Sequence, residues 1–147
     1  MKIQNSIEIA VQPEEVWPFL VVPESIMKWC ITFKKCEYAA EQHSGEGMSF
    51  YVEEKAGGPL LKLSFIVTEW IENRKVTLKM TSGNFVKGYE QRLTIETIPS
   101  GCRLTYMEDI KFPYGIIGKL LGFVARSTSE AHLKEMLAKL KRLAESR

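Results

Sequence analysis

The feature that most constrains this chain is a single change of hydrophobic period. From Phe33 to Lys111 apolar and polar residues alternate in six runs; beyond Pro113 and Gly115 apolar residues return about every 3.6 positions. The runs are Phe33 to Glu41, Met48 to Glu53, Leu60 to Ile71, Lys75 to Thr81, Tyr89 to Glu96 and Cys102 to Lys111. The turns between them include Gly57-Gly58-Pro59, Glu72-Asn73-Arg74, Ser82-Gly83-Asn84 and Pro99-Ser100-Gly101. Connections this short predict an antiparallel meander, and a long meander with one apolar face must twist and curl. Only one long helix follows to cover that face. A single helix does not fill the concavity of so large a sheet, so a ligand-sized space is expected beneath it.

The first residues add a strand and two short helices. Ile3, Ile7 and Ile9 alternate with polar neighbours. Pro13 suits the first turn of a helix, with Glu14 and Glu15 at its positive end. That helix carries Val16, Trp17, Phe19 and Leu20, and a second begins at Pro23 and runs to Trp29. The expected architecture is α+β: one domain over residues 1–147, with a curved seven-stranded antiparallel sheet around a long C-terminal helix. A chain of 147 residues with 45% hydrophobic content buries a core of this kind without disulfides or metals.

Charge and cysteine usage narrow the function classes. A net charge of +2, with basic and acidic residues interleaved, gives no nucleic-acid footprint. Cys30, Cys36 and Cys102 are odd in number and form no C-x-x-C, which reads as reduced thiols in a cytoplasmic protein. The N-terminus alternates instead of forming the apolar core of a signal peptide. The greasiest helical stretch, Ile116 to Ala125, is interrupted by Lys119 and too short to span a bilayer. Within it Gly118 and Gly122 read as small residues that let the helix lie close to the sheet. No His/Cys/Asp cluster has ligand spacing, so neither metal nor cofactor is expected.

In a meander alternate loops share an end. The turns at Gly57 to Pro59 and Ser82 to Asn84 should lie beside the start of the long helix at Phe112 to Gly115, marking a mouth. Alternation sends Phe50, Phe65, Met80, Tyr89, Gln91, Tyr106 and Glu108 inward, and counting back from Pro99 to Gly101 sets Gln91 opposite Glu108. The helical stripe Ala125, Ser129, His132, Met136, Leu140 and Leu143 adds Ser129 and His132, while Glu130 with Lys134 and Glu135 with Lys139 are expected as outward ion pairs. Phe50, Phe65, Met80, Tyr89 and Tyr106 would supply apolar contact, and Gln91, Glu108 and His132 would orient a polar group, with Ser129 also lining the site. A carboxyl desolvated in this way gains proton affinity, so Glu108, or His132, is a candidate acid/base. His43 falls in a loop at the opposite end.

The opening IEIAVQPEEVWPFLVVPESIMKW resembles the start of the START-like, polyketide cyclase-like (SRPBCC) superfamily: a strand, a proline-initiated helix with V-W, and a second helix ending in tryptophan. The later strands and final helix extend the resemblance over essentially the whole chain. It implies the helix-grip fold and places Val16, Trp17 and Trp29 in the core. The superfamily includes lipid binders of the pollen-allergen type, ubiquinone-binding proteins and heat-shock ATPase activators. Three functions follow as expectations. The leading one is binding or transport of a hydrophobic small molecule: a lipid, a quinone or a polyketide-like aromatic. The second is a metal-independent cyclase or dehydratase using Glu108 or His132. The third is an interaction module of the ATPase-activator type, which would show an exposed apolar patch; the expected ion pairs argue against the long helix as its location.

Overall fold

A computed structural model describes residues 1–146. The order is β1 (Lys2–Ile9), α1 (Pro13–Val21), α2 (Pro23–Ile26), β2 (Phe33–Tyr38), β3 (Ser49–Glu54), β4 (Leu61–Ile71), β5 (Lys75–Gly83), β6 (Gly88–Ile98), β7 (Gly101–Lys111) and α3 (Gly115–Glu145). The seven strands form one antiparallel sheet in the order β1-β7-β6-β5-β4-β3-β2. Strands β2 to β7 are thus the expected meander, and β1 closes on β7 with Ile3 opposite Glu108 and Ile9 opposite Cys102. Register shifts between Phe33 and Lys35, Ser64 and Phe65, and Val67 and Glu69 are the irregularities that add twist. The sheet curls into a half-barrel gripping α3, and the fold is the helix-grip fold.

Local chemistry explains how the elements begin. Pro13 opens α1, and the Glu15 carboxylate accepts the Gln12 backbone N–H at 3.2 Å. Pro23 opens α2, directly after the Val22 N–H has bonded Pro18 O at 3.0 Å. Trp29 is buried and donates its indole N–H to Phe19 O at 2.7 Å, tying the loop after α2 back to α1. Val16 and Trp17 are buried as expected, and Trp17 meets Trp70 edge-on at 5.1 Å.

Helix α3 runs alongside β1. Gly122 lies against Met1 and Phe112, while near the other end Lys141 Nζ donates to Glu8 O at 2.8 Å and Ala10 N–H to Glu145 Oε2 at 2.7 Å. These bonds help protect the edge strand β1. The buried residues of the C-terminal half of α3 are Leu133, Met136, Leu137, Leu140 and Ala144. The face is therefore rotated from the expected stripe: Met136 and Leu140 belong to it, Ser129, His132 and Leu143 are half-buried at its margin, and Leu133 and Leu137 lead it. The expected Glu130–Lys134 and Glu135–Lys139 pairs are replaced by Arg126–Glu130 at 3.1 Å and Lys141–Glu145 at 2.7 Å.

Two of the three glycines of α3, Gly118 and Gly122, serve close approach. A Cβ at Gly118 would stand 2.1 Å from Pro113 O, and one at Gly122 would stand 3.4 Å from the Phe112 ring. The first turns of α3 are pinned on their glycine face, and their apolar side chains point away from the body. Ile116 is 86% exposed, Phe123 77% and Val124 69%. The greasiest part of the helix is on the surface.

Candidate functional site

Alternation on three strands sends polar side chains into the core at one level. Gln91 of β6 lies opposite Glu108 of β7, as the hairpin count predicts. Tyr89 and Gln91 are buried beside Leu93, and Tyr106 is buried two positions before Glu108. On β3 the buried residues are Phe50, Val52 and Glu54. These residues meet. The Tyr89 hydroxyl lies 2.7 Å from Glu108 Oε1 and 3.2 Å from Glu54 Oε1, and Gln91 Nε2 donates to it at 3.3 Å. The Thr32 hydroxyl donates to the other Glu54 oxygen at 2.8 Å.

Hydrogen counting shows what state this cluster favours. Tyr89 has one hydroxyl proton for two carboxyl neighbours. It satisfies one as donor; the other is best satisfied if that carboxyl carries its own proton and donates back. Electrostatics agree. Burial, and then the neighbouring Glu54 charge, push Glu108 from 4.5 up to about 7, against the Tyr89 and Tyr106 hydroxyls that favour its charged form. Burial also raises Glu54, opposed by Thr32 and Tyr89. No basic side chain contributes to either carboxyl. The two titrate as a pair that keeps a proton well above the ordinary carboxyl range. Burial, reinforced by Glu108, raises both Tyr89 and Tyr106 well above the usual phenol range, so both remain hydroxyl donors.

The adjoining interior is apolar and narrow. A space of about 30 Å³ lies between α1–α2 and the sheet, lined by Leu20, Trp29, Cys30, Phe50, Phe65 and Leu78 among others, with Gln91 and Tyr106 carrying it to the polar cluster. The sequence led us to expect a ligand-sized cavity under the long helix. The space found is of the order of one water, and no α3 residue lines it. The reason is local: Trp29 packs edge-on to Tyr106 at 6.4 Å, Phe65 edge-on to Tyr89 at 5.2 Å, and these rings occupy the concavity.

Of the nine residues expected to line a ligand site, Phe50, Phe65, Gln91 and Tyr106 border this space, and Tyr89 and Glu108 form the polar cluster beside it. Met80 is half-buried against the core. Ser129 and His132 neither border the space nor hydrogen-bond to the cluster among the described residues. Glu54, Thr32 and Cys30 were not anticipated. Glu54 was within reach of the same reasoning, since it lies in phase with Phe50 and Val52, two positions beyond the last residue assigned to that face. Among the described residues no group of three or more His, Cys, Asp or Glu is arranged to hold a metal ion.

Segments expected to mark a mouth come together at one end of the sheet, but no opening from there to the interior space is seen among the described residues. Asn84 receives the Lys62 N–H at 2.7 Å and donates to Leu60 O at 3.3 Å, joining the β4 and β5 ends, and Lys87 N–H bonds Lys111 O at 2.7 Å. A surface groove of about 600 Å³ lies at this end between α3 and the β7 terminus, and it shares no lining residue with the interior space. His43 lines neither and stacks on Tyr38 at 3.7 Å.

Comparison with known proteins agrees with this architecture. Residues 1–145 match the family described as polyketide cyclase / dehydrase and lipid transport. Uncharacterized proteins of Mycobacterium tuberculosis and Mycobacterium bovis are 25% identical over 144 residues, covering 98% of this chain and 84% of theirs. A Thermus thermophilus protein superposes with a TM-score of 0.82 at 16% identity, covering 98% of this chain and 97% of its own. A START superfamily protein from Mycobacterium smegmatis gives 0.77 at 19%, covering 97% and 98%. The Zhui aromatase/cyclase of a Streptomyces species gives 0.74 at 13%, covering 97% and 94%. With its strand order, gripped helix and end-to-end match, the chain belongs to the family described as polyketide cyclase / dehydrase and lipid transport.

Proposed function

We propose that this protein binds a hydrophobic small molecule bearing one polar, hydrogen-bonding group, with the apolar part between α1–α2 and the sheet and the polar group at Glu54, Tyr89 and Glu108. The observation that carries this reading is a pair of carboxyls, Glu54 buried and Glu108 half-buried, bridged by the Tyr89 hydroxyl with no basic side chain bonded to either among the described residues. Such a pair costs stability, because desolvation is only partly offset. A hydroxyl or carbonyl would find both a donor and an acceptor there. Apolar and aromatic side chains border the cluster, as in small-molecule sites. A ligand larger than water must displace side chains such as Trp29 and Phe65, so binding is coupled to opening of the core. A lipid, a quinone and an aromatic polyketide all satisfy this chemistry, and the family description is compatible with each. The test is organic-solvent extraction of purified protein followed by mass spectrometry, with titration of an apo sample by a long-chain alcohol or a quinone. Saturable binding weakened by Glu108→Gln supports the reading; an empty extract together with no saturable binding rejects it.

A second reading is favoured by Glu108 lying near neutrality. A carboxyl at about 7 is present in both forms at neutral pH, which suits general acid/base work. In a dehydration the ionised member of the pair would take a proton from carbon, and the protonated member would give one to the departing hydroxyl, releasing water. Loss of turnover of a β-hydroxy ketone in Glu108→Gln, with its binding retained, would separate this role from binding alone. His132 is a weaker candidate, because it stands apart from the pair.

A further inference from the structure

We propose that the first turns of α3, with Tyr114 and Phe85 at the same end of the sheet, dock the protein on the surface of an anionic lipid bilayer. At 100° per residue, Ile116, Ile117, Leu120, Leu121, Phe123 and Val124 occupy one continuous arc of about 160°. All six are exposed, from 49% at Leu121 to 86% at Ile116, and Phe85 and Tyr114 are exposed at 58% and 71%. Gly118 and Gly122 face the opposite way, against Pro113 and Phe112. The apolar arc is thereby directed outward by backbone contacts that tolerate no side chain at Gly118.

An uninterrupted apolar face of this size is rare on a free monomer. Charge selects its occupant. Lys119 and Arg126 border the arc, and Lys87 and Lys111 line the groove beneath it. Against them stand Asp109 in the groove and Glu130, paired with Arg126. Four cations against two anions leave the patch positive. Apolar side chains with basic residues at their margin are the pattern of a helix lying in the headgroup region of an anionic membrane. No α3 window is long and apolar enough to cross a bilayer, so the helix lies on the surface. A bilayer also accepts a purely apolar face with no hydrogen-bonding complement, which a protein partner rarely does. This docking does not depend on the interior binding a ligand.

The test is co-sedimentation of the full chain with phosphatidylcholine vesicles, with and without phosphatidylglycerol, at low and high salt. Wild type should pellet with the anionic vesicles, and less so at high salt. Leu120→Ser with Phe123→Ser should weaken binding roughly tenfold or more, and Lys119→Gln about fivefold. Both changes are at exposed positions, and circular dichroism checks that the fold is kept. Absence of wild-type pelleting, or equal pelleting of wild type and the double variant, overturns the proposal. So does sedimentation equilibrium showing a dimer that the double variant dissolves, without vesicle binding: the face would then serve a second copy.

Discussion

The hydroxyl of Tyr89 lies 2.7 Å from Glu108 Oε1, inside the core, with Glu54 on its other side at 3.2 Å. This bond links two adjacent strands and holds a carboxyl that burial would otherwise drive still further toward its neutral form.

Stability should fall as pH rises through neutrality. Glu108 titrates near 7 when folded and near its ordinary 4.5 when unfolded. Between these values the folded state keeps a proton that the unfolded chain has released. The contribution is therefore complete below 4.5 and lost as pH rises through about 7. Its size is on the order of 3 kcal/mol. Urea unfolding at mildly acidic and mildly alkaline pH should show the difference in wild type and much less of it in Glu108→Gln.

Tyr89→Phe removes the hydroxyl while keeping the ring that packs on Phe65. The variant should lose about 1–3 kcal/mol, because Glu108, Glu54 and Gln91 all lose a partner. Since the hydroxyl favours the charged form, Glu108 should titrate higher in the variant than in wild type. A carboxyl carbon NMR titration reads that direction; a downward move would contradict a hydroxyl donating to Glu108.

Gly101 begins β7 at φ 143°, where a Cβ would lie 2.2 Å from Ile9 O. Gly101→Ala should destabilise by about 2–4 kcal/mol, since backbone on both sides must move. Gly57→Ala provides the contrast, because it has positive φ but open space around it. It should cost roughly 1 kcal/mol. Equal denaturation midpoints for the two would show that steric approach at Gly101 is not what matters.

The three thiols should resist alkylation in the native protein at mildly alkaline pH. Burial pushes the Cys36 thiol up to about 12, and Cys30 and Cys102 are also raised and more deeply buried. The thiolate is the reactive species. Iodoacetamide labelling followed by mass spectrometry should find Cys36, the half-buried one, modified first, and all three modified rapidly in denaturant.

Sequence alone determined the order of the six meander strands and the facing of Gln91 and Glu108, because a period of two and short turns leave little freedom of register. The turn expected at Ser82 to Asn84 starts later, since β5 runs on through Gly83, and the place of β1 beside β7 came from the tertiary structure. The burial of Val16, Trp17 and Trp29 was implied by the resemblance of the opening segment, and all three are buried. Glu54 was legible in the alternation of β3, although a carboxylate at the end of an apolar face reads first as the point where that face meets solvent. Tertiary structure decided the rest. The rotation of α3 that makes Leu133 and Leu137 core and leaves His132 at the margin depends on where β1 lies, and a helical stripe does not encode that. The size of the interior depends on how Trp29, Phe65 and their neighbours fill the concavity, a matter of rotamers and packing. The outward direction of Ile116 to Val124 follows from Gly118 meeting Pro113 O, a contact made only when the chain doubles back at Phe112 to Gly115. Periodicity tells which residues share a face; close packing against distant residues decides what that face meets.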